Sequence, residues 1–244
     1  MKQTIFTITE NTSLTDTVYR MVLRGDTDGI TAGQFVNLKL EGRYLRRPIS
    51  VCDCVGDTLV LVYKVVGTGT AQMSNMQIGA ELDILTGLGN GYDLAKCGEH
   101  ALLLGGGVGV PPLYMLTKQL ISQGKTVSVV LGFNTKAEVF YEQEFRNLGA
   151  DVVVTTADGS YGIQGFVTDA IADIPYDYFY TCGPEPMLKA VYATTTTDGQ
   201  FSFEERMGCG FGACMGCSCK TVTGYKRICK DGPVLEKGEI LWDA

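Results

Sequence analysis

Five of the nine cysteines in this 244-residue chain fall between Cys209 and Cys229. They run Cys209-x4-Cys214-x2-Cys217, and Cys229 follows after eleven further residues. This is a ligand spacing of two-iron, two-sulfide clusters. Two irons bridged by two sulfides need four thiolates on two sides. A tight loop can supply three, because glycine backbone curls close around an inorganic core, and Gly208, Gly210, Gly212 and Gly216 interleave the thiols. The fourth thiolate then comes from a later segment. Cys219 competes with Cys229 for that place, but it sits two residues after Cys217 and would crowd the same side. A four-cysteine zinc site is a competing reading, although structural zinc usually takes two Cys-x2-Cys pairs and one alone is clean here. Disulfides are another. Residues 1–20 show no charged start followed by an apolar stretch, so no export signal is expected, and the thiols are expected to stay reduced.

Other stretches have the composition of nucleotide sites. Gly105-Gly-Gly-Val-Gly109 follows an apolar run and precedes Pro111-Pro112. Backbone N–H groups in such a turn can face a pyrophosphate, helped by the dipole of the helix that follows. Tight packing alone is the competing explanation. The stretch departs from the common dinucleotide fingerprint, since Pro112 stands where a third glycine would and Gly132-Phe133-Asn134 brings no acid to the end of the next strand. Thr181-Cys182-Gly183-Pro184 closes a later strand, at the sheet edge where ligands lie in doubly wound folds; a buried, packing Cys182 is the plainer alternative. Arg46-Arg47-Pro48-Ile49-Ser50 offers guanidinium forks for phosphate or a solvated basic turn. Gly67-Thr-Gly-Thr70 offers another row of N–H groups. His100, the single histidine, precedes a core strand and reads as structural, which leaves no Ser–His or Cys–His dyad without it. Asp53, Asp57, Glu81 and Asp83 read as turn and surface carboxylates.

The elements that must position these residues fall into two patterns. From Thr4 to about Leu85 short strands dominate. Gln34–Leu40 alternates as a half-buried strand should, Leu59–Val66 is longer and β-branched, and turns fall at Asp28-Gly29, Asp53 and Gly56-Asp57. A small antiparallel barrel is expected. Beyond Gly98, strands at Ala101–Leu104, Thr126–Leu131, Asp151–Thr155 and Asp177–Thr181 alternate with helices. The helices begin at Pro111-Pro112, near Tyr141–Leu148, near Phe166–Ile171, and from Pro184 to about Ala193. That alternation predicts a doubly wound parallel sheet. The last 45 residues show little periodic structure beyond the cysteine loop. The expected units are 1–97, 98–199 and 200–244. Glycine is abundant, 31 residues or about 13% against a usual 7%. The net charge of −7 argues against a nucleic-acid partner. The longest apolar tract, Ala101–Leu116, is cut by four glycines and two prolines, so no membrane span is expected.

Taken together and in order, Arg47-Pro48-Ile49-Ser50, Tyr63-Lys64, Gly69-Thr70, Gly105–Pro112 and Cys182-Gly183-Pro184 resemble the ferredoxin–NADP reductase superfamily, a flavin-binding barrel followed by a nicotinamide-binding domain. The added stretch from Phe203 through Cys229-Lys-Asp-Gly-Pro233 resembles one family more closely, the electron-transfer subunits of NAD-dependent (type B) dihydroorotate dehydrogenase. The resemblance covers essentially the whole chain. It implies that Arg47, Pro48, Ile49 and Ser50 hold the FAD pyrophosphate and flank the flavin, that Val62, Tyr63 and Lys64 line the FAD, and that Gly69 and Thr70 lie on its phosphates. Gly105, Gly106, Gly107 and Gly109 would face NAD, with Cys182, Gly183 and Pro184 near the nicotinamide. Cys209, Cys214, Cys217 and Cys229 match the four ligands of the [2Fe-2S] cluster; the gap before Cys229 is on the short side for the family, which puts the closing loop in question.

The resemblance also implies a partner, an FMN-containing catalytic subunit that oxidises dihydroorotate in pyrimidine biosynthesis. The assembly would be a cytoplasmic heterotetramer, with Phe211 and Met215 expected at the contact. NAD is expected over NADP because Gly132–Thr135 holds no arginine, though Lys136 is close. Two rivals remain at this point. An NAD(P)H–ferredoxin oxidoreductase or sulfide dehydrogenase subunit of the same superfamily would carry Asp in place of Cys209. A non-enzymatic metal or redox sensor would need neither the flavin nor the nucleotide motifs.

Overall fold

The computed structural model describes residues 1–242; the last two positions of the expected third unit lie outside them. The first six strands are β1 (Lys2–Ser13), β2 (Val18–Arg24), β3 (Phe35–Leu38), β4 (Arg47–Val55), β5 (Thr58–Lys64) and β6 (Glu81–Leu88). They close into an antiparallel barrel in the order β1-β2-β5-β4-β3-β6. Closure leaves no bare edge for another chain to pair with. Alternate side chains fill the interior: Phe6 and Ile8 from β1, Met21 and Leu23 from β2, Val36 and Leu38 from β3, Leu59 and Leu61 from β5, all fully buried. The β4–β5 turn uses Gly56, whose φ of +59° suits glycine. One short helix, α1 (Thr68–Ser74), lies between β5 and β6.

The second unit carries β7 (His100–Gly106), α2 (Pro112–Ser122), β8 (Thr126–Phe133), α3 (Glu142–Asn147), β9 (Asp151–Thr156), β10 (Ile163–Gln164), β11 (Tyr178–Cys182), α4 (Glu185–Thr194) and β12 (Gly199–Ser202). The strands lie in the order β10-β9-β8-β7-β11-β12 and all pair in parallel. Their central segments are buried on both faces, which is why Ala101–Leu104 and Val127–Leu131 read as apolar runs with little alternation. The helix expected at Phe166–Ile171 is a single 3-10 turn, Val167–Ala170. Asp169 caps it by accepting the Phe166 N–H at 2.7 Å, and Pro175 follows too soon for a longer helix.

The C-terminal stretch is more ordered than its lack of periodicity suggests. β13 (Ser218–Thr221) and β14 (Gly224–Arg227) form a hairpin, and β15 (Val234–Glu236) adds to the large sheet antiparallel to β12. Asn90, just after the barrel, fixes this return. Its side chain donates to the Val234 carbonyl at 2.7 Å and accepts the Val234 N–H at 3.0 Å, as a neighbouring strand would. A second apolar cluster joins all three parts: Phe35, Leu85 and Leu88 from the barrel, Leu102, Leu104 and Phe179 from the sheet, and Cys217, Ile228 and Cys229 from the cysteine region. This cluster explains β3, where Phe35 to Leu38 are all buried although alternation had suggested a half-exposed strand. Among the described residues no helix is long and apolar enough to cross a membrane.

At the amino-terminal edge of the sheet, the Asp177 carboxylate accepts backbone N–H groups from Gly98, Glu99 and His100 at 2.9, 2.7 and 2.9 Å. Partial burial alone would raise its pKa. The three N–H groups outweigh that and hold it below the ordinary carboxylate value. Its stabilisation is therefore complete above about pH 4 and disappears as pH falls through the lowered folded value. Asp177→Ala is expected to destabilise the fold by about 1 kcal/mol, discounted for exposure, and to lower Tm at pH 7 by about 2–4 °C. Melting curves at pH 7, 5 and 3 should show the gap between variant and wild type closing at the acid end.

Candidate functional site

Four thiols stand at the seam between the barrel and the C-terminal hairpin, and they are grouped in twos. The Cys209 N–H points at Cys214 Sγ at 3.4 Å, while the N–H groups of Ala213 and Cys214 point at Cys209 Sγ at 3.2 and 3.4 Å. The Cys229 N–H points at Cys217 Sγ at 3.4 Å. Cys214 is exposed and Cys209 half-buried, whereas Cys217 and Cys229 are buried. A two-iron core takes two thiolates for each iron. Cys219 stands on β13 opposite Lys226, half-buried against the apolar cluster that also holds Cys217 and Cys229.

The loop geometry follows from its glycines. Gly210 sits at φ +77° and Gly212 at +92°, a backbone that L side chains rarely adopt. A Cβ on Gly208 would come within 3.2 Å of Cys214 Sγ. Arg227 pins the loop from the other side, donating to the Gly212 carbonyl at 2.9 Å while Asp231 holds its Nε at 3.0 Å. Burial pushes the Cys209 thiol up, but the backbone N–H groups of Cys214, Phe211 and Ala213 outweigh it and bring it down to about 6. Cys229 moves the other way, raised by burial and by the neighbouring Cys217. N–H groups aimed at sulfur favour thiolate, the form that binds metal.

The stretch Arg47–Ser50 is the start of β4, half-buried along its length. Its two arginines differ. Arg46 is committed to Asp83, with two contacts of 2.9 Å. Arg47 lies across Gly69 at the start of α1, so closely that a Cβ there would strike its guanidinium. The Thr70 hydroxyl accepts the N–H groups of Val66 and Gly67 at 3.0 and 3.3 Å, which shapes the turn. On β5, Val62 and Tyr63 are buried. The Tyr63 hydroxyl donates to Asn11 at 3.1 Å, and its ring stacks on Tyr19 at 6.0 Å. Lys64 reaches across to the second unit and stands 4.0 Å from Glu138.

At the carboxyl edge of the sheet, Cys182 pairs in register with Gly105, so the glycine turn after β7 and the Cys182-Gly183-Pro184 turn after β11 lie side by side. Several glycines there are explained by packing. A Cβ on Gly109 would strike the Cys182 carbonyl, and one on Gly106 would meet Met187 Sδ at 2.5 Å. Gly183 is held against Met187 in the same way. Gly107 differs, with φ +52° and open space where a side chain would stand. Burial pushes the Cys182 thiol up to about 12, leaving it neutral.

Two residues of this region were not singled out by the sequence. Glu138 follows β8 by five residues, yet its carboxylate reaches back to accept the Asn134 N–H at 3.2 Å and its Nδ2 at 2.8 Å. An acid therefore does stand at the end of β8, supplied by a later turn. Asn37 on β3 touches the thiol loop, donating to the Cys209 carbonyl at 3.4 Å. The sequence reading placed it only within Gln34–Leu40, a half-buried strand by its alternation.

Residues 204–241 match the family described as the iron-sulfur cluster binding domain of dihydroorotate dehydrogenase B, and residues 103–193 match the oxidoreductase NAD-binding domain. The chain is 44% identical to the dihydroorotate dehydrogenase B (NAD(+)) electron transfer subunit of Geobacillus sp. (strain WCH70), covering 99% of each chain. It belongs to the family of these electron transfer subunits. The subunit of Fusobacterium nucleatum is 45% identical, over 93% of this chain and 94% of that one. Among solved structures, an NADH-dependent reduced ferredoxin-NADP oxidoreductase superposes with a TM-score of 0.89 at 28% identity, covering 97% of this chain and 90% of that one. A Neisseria gonorrhoeae ferredoxin NADP+ reductase with bound FAD and NADP gives 0.67 at 19% identity, covering 80% and 90%, and shows the fold alone.

The thiol grouping generates a test that separates Cys229 from Cys219. Cys229→Ser is expected to lose most iron and acid-labile sulfide after reconstitution. Cys219→Ser is expected to keep both at the wild-type level. Colorimetric iron and sulfide assays on the two variants check it.

Proposed function

We propose that this chain carries electrons from the FMN of a dihydroorotate-oxidising catalytic subunit to NAD+. The observation that carries the reading is a shared surface. Thiol-loop residue Cys209 is hydrogen-bonded to Asn37, and Asn37 pairs in register with Pro48 of the Arg47–Ser50 stretch. The cluster ligands and the flavin strand thus occupy one outer face of the barrel. The three parts are taken as units 1–97, 98–199 and 200–244.

In this reading Cys209, Cys214, Cys217 and Cys229 hold a [2Fe-2S] cluster, and backbone N–H groups point at the sulfurs of Cys209, Cys214 and Cys217. Arg47, Pro48, Ile49, Ser50, Val62, Tyr63, Lys64, Gly69 and Thr70 hold FAD. Arg47 meets phosphate as a cation, and its place is fixed by Gly69. Gly105, Gly106, Gly107 and Gly109, with Cys182, Gly183 and Pro184, form the edge on which NAD lies. Gly107 offers its open backbone there, and the others bring the two turns together. When bound, the cluster supplies single-electron steps and the flavin converts them to hydride transfer, chemistry that belongs to the cofactors. The protein's part is to orient them and exclude water. No acid–base dyad is required, in keeping with His100 as an exposed first residue of β7. The Glu138 carboxylate at the end of β8 favours ribose hydroxyls and opposes a 2′-phosphate, so NAD is preferred over NADP. The chain works in the cytoplasm, as a heterotetramer of two copies of each subunit.

The experiment is reconstitution. The chain loaded with iron, sulfide and FAD is mixed with the FMN subunit and dihydroorotate, and NADH formation is followed at 340 nm. Formation that needs both subunits and runs faster with NAD+ than with NADP+ supports the proposal; a loaded chain that never couples to the FMN subunit defeats it. The exposed Phe211 and Met215 flank the cysteines on the open side of the loop. Changing both to Asp is expected to weaken subunit association at least tenfold, read by analytical ultracentrifugation, with iron and FAD content unchanged.

A further inference from the structure

The chain is acidic, with a net charge of −7, yet the stretch from Arg206 to Lys230 carries Arg206, Lys220, Lys226, Arg227 and Lys230 and no Asp or Glu. Two of these cations are spent inside the fold, Lys226 on Glu239 and Arg227 on Asp231. Arg206, Lys220 and Lys230 are exposed. Among the described residues none of the three makes an ion pair. The same stretch exposes Phe211, Met215 and Tyr225, the last of them 72% exposed.

The hairpin register sorts these residues by face. Ser218 lies opposite Arg227, Cys219 opposite Lys226, and Lys220 opposite Tyr225. Opposed residues share a face, and so do alternate residues along a strand. Cys219 packs against the shared apolar cluster and Thr221 is buried, so their face turns inward. Lys220, Tyr225 and Arg227 therefore stand on the outer face. Arg227 joins that face to the thiol loop by donating to the Gly212 carbonyl at 2.9 Å. Lys230 runs along the same glycine, where a Cβ would come within 2.6 Å of its Cδ. Hairpin and loop thus make one continuous surface, with apolar side chains set among cations that no acid of this stretch offsets.

We propose that this surface docks an acidic face of the FMN-containing catalytic subunit, an apolar patch rimmed by Asp and Glu, with Tyr225 as an anchor and Lys220 and Lys230 as the steering charges. The inference deepens the function proposed above and rests on it. Apolar anchors inside a charged rim are the ordinary anatomy of a protein interface, and rim charges act chiefly on the rate of encounter. A second copy of this chain fits the surface poorly, because meeting across a two-fold axis would set cations against cations. A lipid headgroup would satisfy the cations, but it brings no electron carrier to the exposed thiol Cys214.

The test uses the full chain loaded with iron, sulfide and FAD, and the FMN subunit. Association rates are measured by stopped flow at about 0.05 M and about 0.5 M sodium chloride, where screening differs most. Wild-type association is expected to slow with salt. The double variant Lys220→Glu, Lys230→Glu is expected to associate about tenfold more slowly at low salt and to lose most of the salt dependence, with iron and FAD contents unchanged. A control of equal net charge, Lys2→Glu with Lys189→Glu, is expected to associate as wild type does. If the Lys230 change costs iron, Lys220→Glu alone is read in the same way. Wild-type rates in the reversal variant at both salt concentrations would overturn the proposal, as would equal slowing in the control. Two other results would also overturn it: a dimer of the chain alone that the reversals disperse, or binding to phosphatidylglycerol vesicles that the reversals abolish while subunit association stays intact. A loaded wild-type chain that never binds the FMN subunit would instead overturn the proposed function itself, so the two failures are distinguishable.

Discussion

The outer face of β3 is the constraint on which the rest of the molecule depends. A small barrel normally turns such a face to water. Here Phe35 enters an apolar cluster with Leu102, Leu104 and Phe179 of the sheet and with Cys217, Ile228 and Cys229. Burying that surface drives the three parts together, at about 25 cal/mol for each Å² of apolar area removed from water. The polar contacts then set where each part stops. Asn90 holds Val234 through two hydrogen bonds, and Glu236 meets Lys96, Tyr178 and Gln200 at 2.9, 2.9 and 2.8 Å. The thiol loop is thus set against the barrel by a core shared with the sheet.

That arrangement explains an asymmetry within the loop. Cys217 and Cys229 belong to the shared core, and Cys209 and Cys214 do not. The inner pair takes its position from hydrophobic packing. The outer pair takes its position from backbone N–H groups and from glycines with positive φ. One side of the site is rigid for the reason any core is rigid. The other is held by hydrogen bonds close to solvent, beside the exposed Phe211 and Met215.

Much of this was legible in the residues. The cysteine spacing, the strand-rich first third and the strand–helix alternation after Gly98 are local patterns, and local patterns survive in sequence. What was not legible depends on distant parts meeting. Asn37 looked like the polar residue of an alternating strand, since nothing near it announces that a loop from residue 209 will cover it. β15 is three residues long and is made by pairing with β12, so periodicity could not reveal it. Glu138 lies beyond the end of its strand and reaches the edge through a turn. The two arginines before Pro48 have the same composition, and Asp83, thirty-seven residues away from Arg46, divides their roles.

The glycine turns show why a motif and its mechanism must be argued separately. In Gly105–Gly109 the attractive reading makes each glycine an approach for phosphate. The packing gives Gly106 and Gly109 another task, because Met187, Pro184 and the Cys182 carbonyl occupy the space a side chain would need. These residues let the β7 and β11 turns lie against each other in register. Only with the turns so joined does the sheet offer one continuous edge at the point where its strand order reverses, the place where open α/β sheets bind ligands. Within Gly105–Gly109, Gly107 alone combines positive φ with open space. The edge proposed for the nucleotide is therefore made by close packing of neighbouring strands first.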